Sequence, residues 1–196
     1  MYPKARLDAL TDGLFAVAMT LLVLDIRLPE DFHPRDQREL IAALLALWPK
    51  FFPYLISFLV LGLRWLSGIT IRSRSESVDA IYVRWWLIYL LLITCVPFTT
   101  IVVGRFGHQA PAIWLYAGNT ALITAVAAMM MRLTADIEPG RHVHMRHLSL
   151  AVLFASSIVA IVTSFISPNL AMWAYALNFA TPFLARLVRS APEAKI

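Results

Sequence analysis

Six long apolar segments, separated by short polar stretches, dominate this sequence of 196 residues. Runs of about 20 apolar residues have the length that an α-helix needs to cross a ~30 Å hydrocarbon layer. We therefore predict an all-α polytopic membrane protein, with residues 1–196 forming a single domain of six transmembrane helices. The predicted helices cover residues 6–28, 50–71, 80–104, 111–133, 147–167 and 169–188, with an amphipathic segment at 36–48 before the second.

Composition supports this class and argues against nucleic-acid binding. Hydrophobic residues make up 60% of the chain, charged residues 15%, and the mean hydropathy is +0.70. The net charge is +5, but the basic residues lie between apolar segments and form no continuous basic footprint. With the N-terminus inside, most of the 17 Lys and Arg residues fall on the inner side. We expect a multi-pass protein of the cytoplasmic membrane with both termini cytoplasmic.

The first apolar segment is unusual because acidic residues accompany a short apolar core. The uninterrupted core, 13–24, is about 18 Å long as an α-helix and contains the polar Thr20. Asp8, Asp12 and Asp25 flank or end it, and carboxylates are costly in contact with lipid. We expect this helix to contact protein or water more than lipid.

A rotation of ~100° per residue divides this helix into two faces. One face carries a small and aliphatic stripe with Thr20 beside it: Gly13, Val17, Leu21, Leu24 and Leu28. The opposite face carries Asp8, Asp12, Phe15, Met19, Leu22 and Ile26. Periodicity alone leaves open whether the stripe is a packed seam or faces a pore. Asp12 is expected to point into the bundle, with a basic partner among Arg6, Arg64 and Arg84.

Enzymatic motifs are absent from the sequence. It contains no glycine-rich phosphate loop, no His-Glu zinc motif and no nucleophile elbow, so we predict no catalytic residues and no cofactor. His142, His144 and His147 lie close together between the fourth and fifth helices and invite a metal interpretation. A solvated basic loop is the preferred interpretation, and we predict no metal site there.

A motif in the first helix resembles the signature of a known channel family. The residues Arg6-x-x-x-Leu-Thr-Asp-Gly13, followed by Ala16-Val-Ala-Met-Thr-Leu-Leu-Val-Leu24, resemble the transmembrane protein 175 family of potassium channels. The usual family form is Arg-x-x-x-Phe-Ser-Asp-Gly, then an alanine-rich stretch and Thr-Leu-Leu-x-Leu. Weaker matches are Phe52-x-Tyr54-x-x-Ser57-Phe58 and the segment 92–104, and the helix count fits single-repeat prokaryotic members.

The resemblance implies a homotetramer in which the first helix of each subunit lines a central pore. When the family's pore positions are transferred to this sequence, the resemblance implies hydrophobic rings at Val17, Leu21 and Leu24 and a polar layer at Thr20. These residues coincide with the stripe that the helical spacing predicts and with the Thr20 beside it. The family motif further implies a network of Arg6, Thr11, Asp12 and Gly13 that fixes the first helix against the second and third. We expect loss of the Asp12 carboxylate to disturb the protein more than loss of Asp25.

The sequence therefore predicts a potassium-permeable cation channel whose partners are copies of itself, the lipid bilayer and monovalent cations. Asp25 and the other acids of residues 25–39 are expected to concentrate cations at the outer mouth. Two alternatives stay open. The first is a proton channel or an unselective monovalent cation channel with the same architecture. The second is a membrane scaffold protein whose helix-one stripe is simply packed.

Overall fold

A computed structural model describes residues 2–69, 77–133 and 141–176, and their side chains except those of residues 69, 141–146 and 176. The described chain is almost entirely helical, which confirms the predicted all-α class. Its helices are α1 (Lys4–Leu21), α2 (Gln37–Ala46), α3 (Trp48–Ile69), α4 (Ala80–Thr94), α5 (Val96–Phe106), α6 (Ala110–Leu133), α7 (Arg141–Ser164) and α8 (Pro168–Ala171). Two short strands, β1 (Tyr2–Pro3) and β2 (Ser77–Val78), pair antiparallel with Tyr2 opposite Val78.

Five helical stretches of the described chain are long and apolar enough to cross a membrane. They are Lys4–Asp25, Trp48–Gly68, Ala80–Phe106, Ala110–Leu133 and His147–Ser164. They correspond to the first five predicted helices, so the protein is a multi-pass membrane protein. The sixth predicted helix, 169–188, lies mostly outside the described residues. Its described part consists of most of α8 and a 3₁₀ turn, Met172–Ala176.

The first span consists of α1 and a 3₁₀ turn, Leu22–Asp25, and is called helix one below. At 1.5 Å per α-helical residue and 2.0 Å per 3₁₀ residue, its 22 residues extend about 35 Å. This length crosses a membrane although the apolar core is shorter. Only 22% of its most apolar stretch is buried in the protomer, against 56% for α6. Helix one therefore lies at the edge of the protomer and α6 at its centre.

The predicted amphipathic segment and second helix are present as α2 and α3, separated at Leu47. Asp36 caps α2 by accepting a hydrogen bond from the Glu39 amide at 2.7 Å. The Glu39 carboxylate in turn accepts from the Arg35 amide at 2.7 Å, which closes the start of the helix. The following helix begins at Trp48, two residues before the sequence predicts, and accommodates Pro53 in its second turn.

The predicted third helix is divided into α4 and α5 at Cys95. Pro97 is the second residue of α5, where a missing backbone N–H is tolerated because the first turn has unpaired amides in any case. The Thr99 hydroxyl donates to the Val96 carbonyl at 3.0 Å. This bond satisfies the Thr99 hydroxyl hydrogen at the break inside the span.

The three clustered histidines do not lie in a loop as the sequence predicts. The helix α7 begins at Arg141, so His142, His144 and His147 occupy its first two turns. Only the His147 side chain is described, and it is exposed. Within the described ranges, no group of three or more His, Cys, Asp or Glu residues is arranged to hold a metal ion.

Candidate pore-lining helix

Helix one presents two faces, as its sequence periodicity predicts. Phe15, Ala18 and Leu22 are each 2% exposed and belong to the hydrophobic core. On the other side, three aliphatic residues form the uncovered stripe, 41–62% exposed: Val17, Leu21 and Leu24. Gly13 and Thr20 are exposed beside them. The protomer therefore leaves the predicted pore-facing side chains without a covering neighbour.

The Thr20 hydroxyl donates to the Val17 carbonyl of its own helix at 2.8 Å. This bond uses the hydroxyl hydrogen and leaves the oxygen lone pairs free to accept. Thr20 thus offers an acceptor oxygen, the group that a monovalent cation requires, at the level of the uncovered stripe.

The last turn of helix one determines which way Leu24 and Asp25 point. In a 3₁₀ turn each residue rotates by about 120°, so side chains three residues apart lie in line. Leu22 and Asp25 are accordingly both buried, while Leu21 and Leu24 are both exposed. In α-helical geometry Asp25 would be rotated by about 60° from Leu22. The 3₁₀ turn therefore directs the Asp25 carboxylate into the bundle.

Asp25 does not offer the free carboxylate that attraction of cations at an outer mouth requires, because its side chain is buried and paired. The Arg105 Nε and Nη2 atoms donate to Asp25 Oδ1 at 3.0 and 2.6 Å. The Lys50 ammonium donates to the Asp25 backbone carbonyl at 3.3 Å. This residue joins the end of helix one to α3 and α5 and is not free to attract cations.

The Arg6–Gly13 motif holds helix one through tryptophans. The Trp65 indole of α3 donates to Asp12 Oδ1 at 2.9 Å, and the Trp86 indole of α4 donates to Thr11 Oγ1 at 2.9 Å. Thr11 also donates to the Leu7 carbonyl at 2.8 Å. Thr11 and Asp12 of the motif therefore contact the third and second spans, respectively.

The partner of Asp12 differs from the sequence prediction. Asp12 is exposed, and its carboxylate bonds across to α3. In the described part of the chain it pairs with Trp65, and not with Arg6, Arg64 or Arg84. Arg6 is exposed, and Gly13 has open space around its α-carbon. An indole satisfies the carboxylate here without adding a second charge.

Arg64 lies behind helix one and has an aromatic contact that the sequence did not indicate. The residue is 5% exposed, and its guanidinium carbon lies 5.9 Å from the centre of the Tyr89 ring. The same ring lies 6.3 Å from the ring of Phe15 on helix one. The Arg64 Nε and Nη1 atoms have no hydrogen-bond partner among the described residues. A cation–π contact therefore stabilises this buried charge.

A chain of buried hydroxyls joins three helices in the membrane interior. The Thr100 hydroxyl of α5 donates to Ser57 of α3 at 2.8 Å, and Ser57 donates to the Tyr116 hydroxyl of α6 at 3.1 Å. The Tyr116 ring meets the Tyr175 ring edge-on at 5.2 Å. Sequence reasoning identified Ser57 only as part of a weak family match. Isolated hydroxyl-bearing residues within apolar segments are the sequence signal that would have indicated this series of hydrogen bonds.

The helix-one motif and the fold both match known proteins. A family model described as endosomal/lysosomal potassium channel TMEM175 matches residues 6–97. A potassium channel of Streptomyces collinus is 32% identical over 129 residues, which cover 66% of this chain and 61% of that protein. The human endosomal/lysosomal proton channel TMEM175 is 41% identical over 69 residues, which cover 33% of this chain and 14% of that protein.

A solved structure extends the similarity over the whole fold. The crystal structure of a lysosomal potassium-selective channel TMEM175 homolog from Chamaesiphon minutus superposes with a TM-score of 0.73 and 26% sequence identity. The match covers 92% of this chain and 97% of that chain. In sequence, the chain spans about three fifths of the length of the Streptomyces collinus potassium channel and of a potassium channel of Chamaesiphon minutus. Motif and sequence match the TMEM175 family over residues 6–97, and the fold match to a TMEM175 homolog covers most of the chain.

Proposed function

We propose that the chain is one subunit of a homotetrameric, potassium-permeable cation channel in the cytoplasmic membrane, with both termini cytoplasmic. Helix one of each subunit lines the pore in this proposal. The observation that carries it is the uncovered stripe of Val17, Leu21 and Leu24 on a helix that also exposes Asp12 and Thr20. The names of the Streptomyces collinus relative and of the Chamaesiphon minutus homolog, both potassium channels, support the choice of ion.

The composition of the exposed face favours a water-containing axis over lipid. Leucine and valine alone are compatible with a lipid-facing surface. Thr20 adds a polar oxygen beside the stripe, and a polar group facing hydrocarbon is costly. Copies of helix one around a shared axis place Thr20 in water and cover the stripe at the same time.

A pore built this way conducts by wetting and drying. Rings of aliphatic side chains that close on an axis exclude water and therefore ions, and a modest widening admits a water column. In that column the Thr20 oxygen replaces part of the hydration of a passing cation. Because Asp25 is neutralised by Arg105, Thr20 is the polar group of the exposed face nearest to the leucine rings. We propose no enzymatic step and no cofactor.

Ion flux into proteoliposomes tests this proposal, and the chain offers a matched control. Leu24 on helix one and Leu91 on α4 are 62% and 63% exposed in the protomer. We expect Leu24→Ala to change potassium flux several-fold and Leu91→Ala to leave it unchanged, because only Leu24 would narrow the pore. Well-folded protein that passes no ion under potassium, sodium or proton gradients would refute the channel. The non-conducting scaffold alternative predicts that result.

A proton channel of the same architecture is the second candidate, favoured by the name of the human relative. A pH-sensitive dye inside the liposomes distinguishes the two ions. With potassium replaced by a bulky impermeant cation, proton conduction would still acidify the interior when a pH gradient is applied. Potassium conduction alone would give no acidification under that condition.

A further inference from the structure

A cavity of about 540 Å3 lies at the end of the bundle where helix one ends. Its walls come from four parts of the chain: the connection after helix one, α2, the start of α3 and the end of α5. The lining has three cationic side chains, those of Arg27, Lys50 and Arg105, and one acidic side chain, that of Glu30. Its apolar surface includes Phe32 and Leu47. A lining with three cationic side chains and one acidic side chain, beside an apolar wall, is suited to an amphipathic anion.

The three cations are not equally neutralised. Arg27 pairs with Glu30 at 3.2 Å on the surface, and Arg105 pairs with Asp25. Lys50 donates only to a backbone carbonyl, and no carboxylate of the described residues lies within 4.0 Å of its ammonium group. An ammonium group has three donors, so Lys50 retains donors for an anion in the cavity.

The cavity lies at the boundary between membrane and water. Lys50 is in the first turn of the span Trp48–Gly68, and Arg105 is one residue before the end of the span Ala80–Phe106. The neighbouring α2 has no buried residue, which suits a helix lying in the plane of the interface. The exposed apolar side chains of α2 are Leu40, Ile41, Leu44 and Leu45. They are followed by the exposed Trp48, and tryptophan is enriched at the membrane–water interface.

We propose that this cavity binds the phosphate headgroup of an anionic phospholipid, with Lys50 and Arg105 as its cationic contacts. A lysine and an arginine form charge-assisted hydrogen bonds with a phosphate group. The apolar wall would contact the acyl chain of a lipid, a contact that a free phosphate does not need. This site is independent of the channel proposal, since it requires only a membrane protein. It borders helix one, because Lys50 and Arg105 both also contact Asp25.

Thermal unfolding of the delipidated full chain in detergent tests the site. Phosphatidylglycerol is expected to raise the Tm of the wild type by several degrees, because a ligand that binds the folded state stabilises it. Phosphatidylcholine and inorganic phosphate at the same concentration are expected to give little shift. Lys50→Gln should abolish the phosphatidylglycerol shift, and Lys50→Arg should retain it. Arg38→Gln is the matched control, because Arg38 is exposed on α2 outside the cavity lining.

Three results would overturn the proposal. A full phosphatidylglycerol shift in Lys50→Gln would place the lipid elsewhere. An equal shift from phosphatidylcholine would show a general lipid effect, and an equal shift from inorganic phosphate would show a site for soluble anions. Native mass spectrometry gives a readout that does not depend on basal stability: the wild type and Arg38→Gln should retain phosphatidylglycerol, and Lys50→Gln should not.

Discussion

The Arg105 guanidinium holds the Asp25 carboxylate at 2.6 Å, which ties the last residue of helix one to the end of α5. The two partners differ in environment: the Asp25 side chain is 8% exposed and that of Arg105 is 47% exposed. The carboxylate therefore depends on the arginine for its stability, while the arginine has access to water. This inequality gives the two single substitutions different expected costs.

Arg105→Ala is expected to destabilise the protein more than Asp25→Ala. Removing one partner of a fully buried pair costs ~3–5 kcal/mol, and water access at Arg105 reduces the cost here to about 2 kcal/mol. Removing Asp25 leaves an arginine that water can solvate. Thermal unfolding in detergent gives the order, and the double variant should recover part of the Arg105→Ala loss. Equal Tm values for both single variants would contradict the inequality.

The Trp65–Asp12 hydrogen bond is expected to contribute modestly. Trp65→Phe removes the donor and should cost about 1 kcal/mol, whereas Asp12→Asn keeps an acceptor oxygen and should cost less. Because Asp12 is exposed and Asp25 is buried, Asp25→Ala should lower the Tm more than Asp12→Ala. This order is the reverse of the one expected from the motif. A larger loss for Asp12→Ala would show that its carboxylate has a stronger role in the assembled protein.

The buried hydroxyl chain predicts a cost for Tyr116→Phe. The substitution leaves the Ser57 hydroxyl hydrogen without its acceptor in the membrane interior, where such bonds contribute ~0.6–1.7 kcal/mol. Tyr54→Phe is the control, since the Tyr54 hydroxyl has no hydrogen bond within the described residues and lies on the adjacent α3. We expect a measurable Tm decrease for Tyr116→Phe only. The same decrease in both variants would argue that the ring environment, and not the hydrogen bond, is responsible.

Arg64→Met is expected to leave the fold equally or more stable. Replacing a buried charge by an apolar side chain of similar length removes a desolvation penalty, and comparable replacements are neutral or stabilising by ~1–4 kcal/mol. Arg64→Ala should instead destabilise, because it leaves a void beside Tyr89. Chemical or thermal unfolding distinguishes the two. A clear loss of stability in Arg64→Met would demonstrate that the guanidinium has a strong partner in the assembled protein.

The sequence predicted the features that depend on hydropathy and on regular helical spacing. The apolar runs gave the first five spans, and a 100° rotation placed Val17 and Leu21 opposite Phe15 and Leu22 on helix one. These features need no knowledge of neighbouring helices. They follow from the period of the α-helix and the cost of burying polar groups.

The partners of the acidic residues depended on information that the sequence pattern does not contain. Trp65 is 53 residues from Asp12 and Arg105 is 80 residues from Asp25, so the pairings require the rotation of each helix about its own axis. Charge complementarity suggested arginine for Asp12, but an exposed carboxylate is satisfied by an indole. For Asp25 the expectation of a free carboxylate failed because of the local winding, since the 3₁₀ turn directs the side chain towards Arg105.

That winding has a mechanical consequence for the uncovered stripe. Leu24 and Asp25 are consecutive residues of one 3₁₀ turn, so their directions are fixed relative to each other. Any torsional movement that carries Leu24 around the helix axis also carries the Asp25 carboxylate, which is bonded to Arg105. The ion pair therefore acts as a restraint on the twist of the last turn. Leu24 can rotate only as far as the Arg105 side chain follows, or at the energetic cost of breaking that pair.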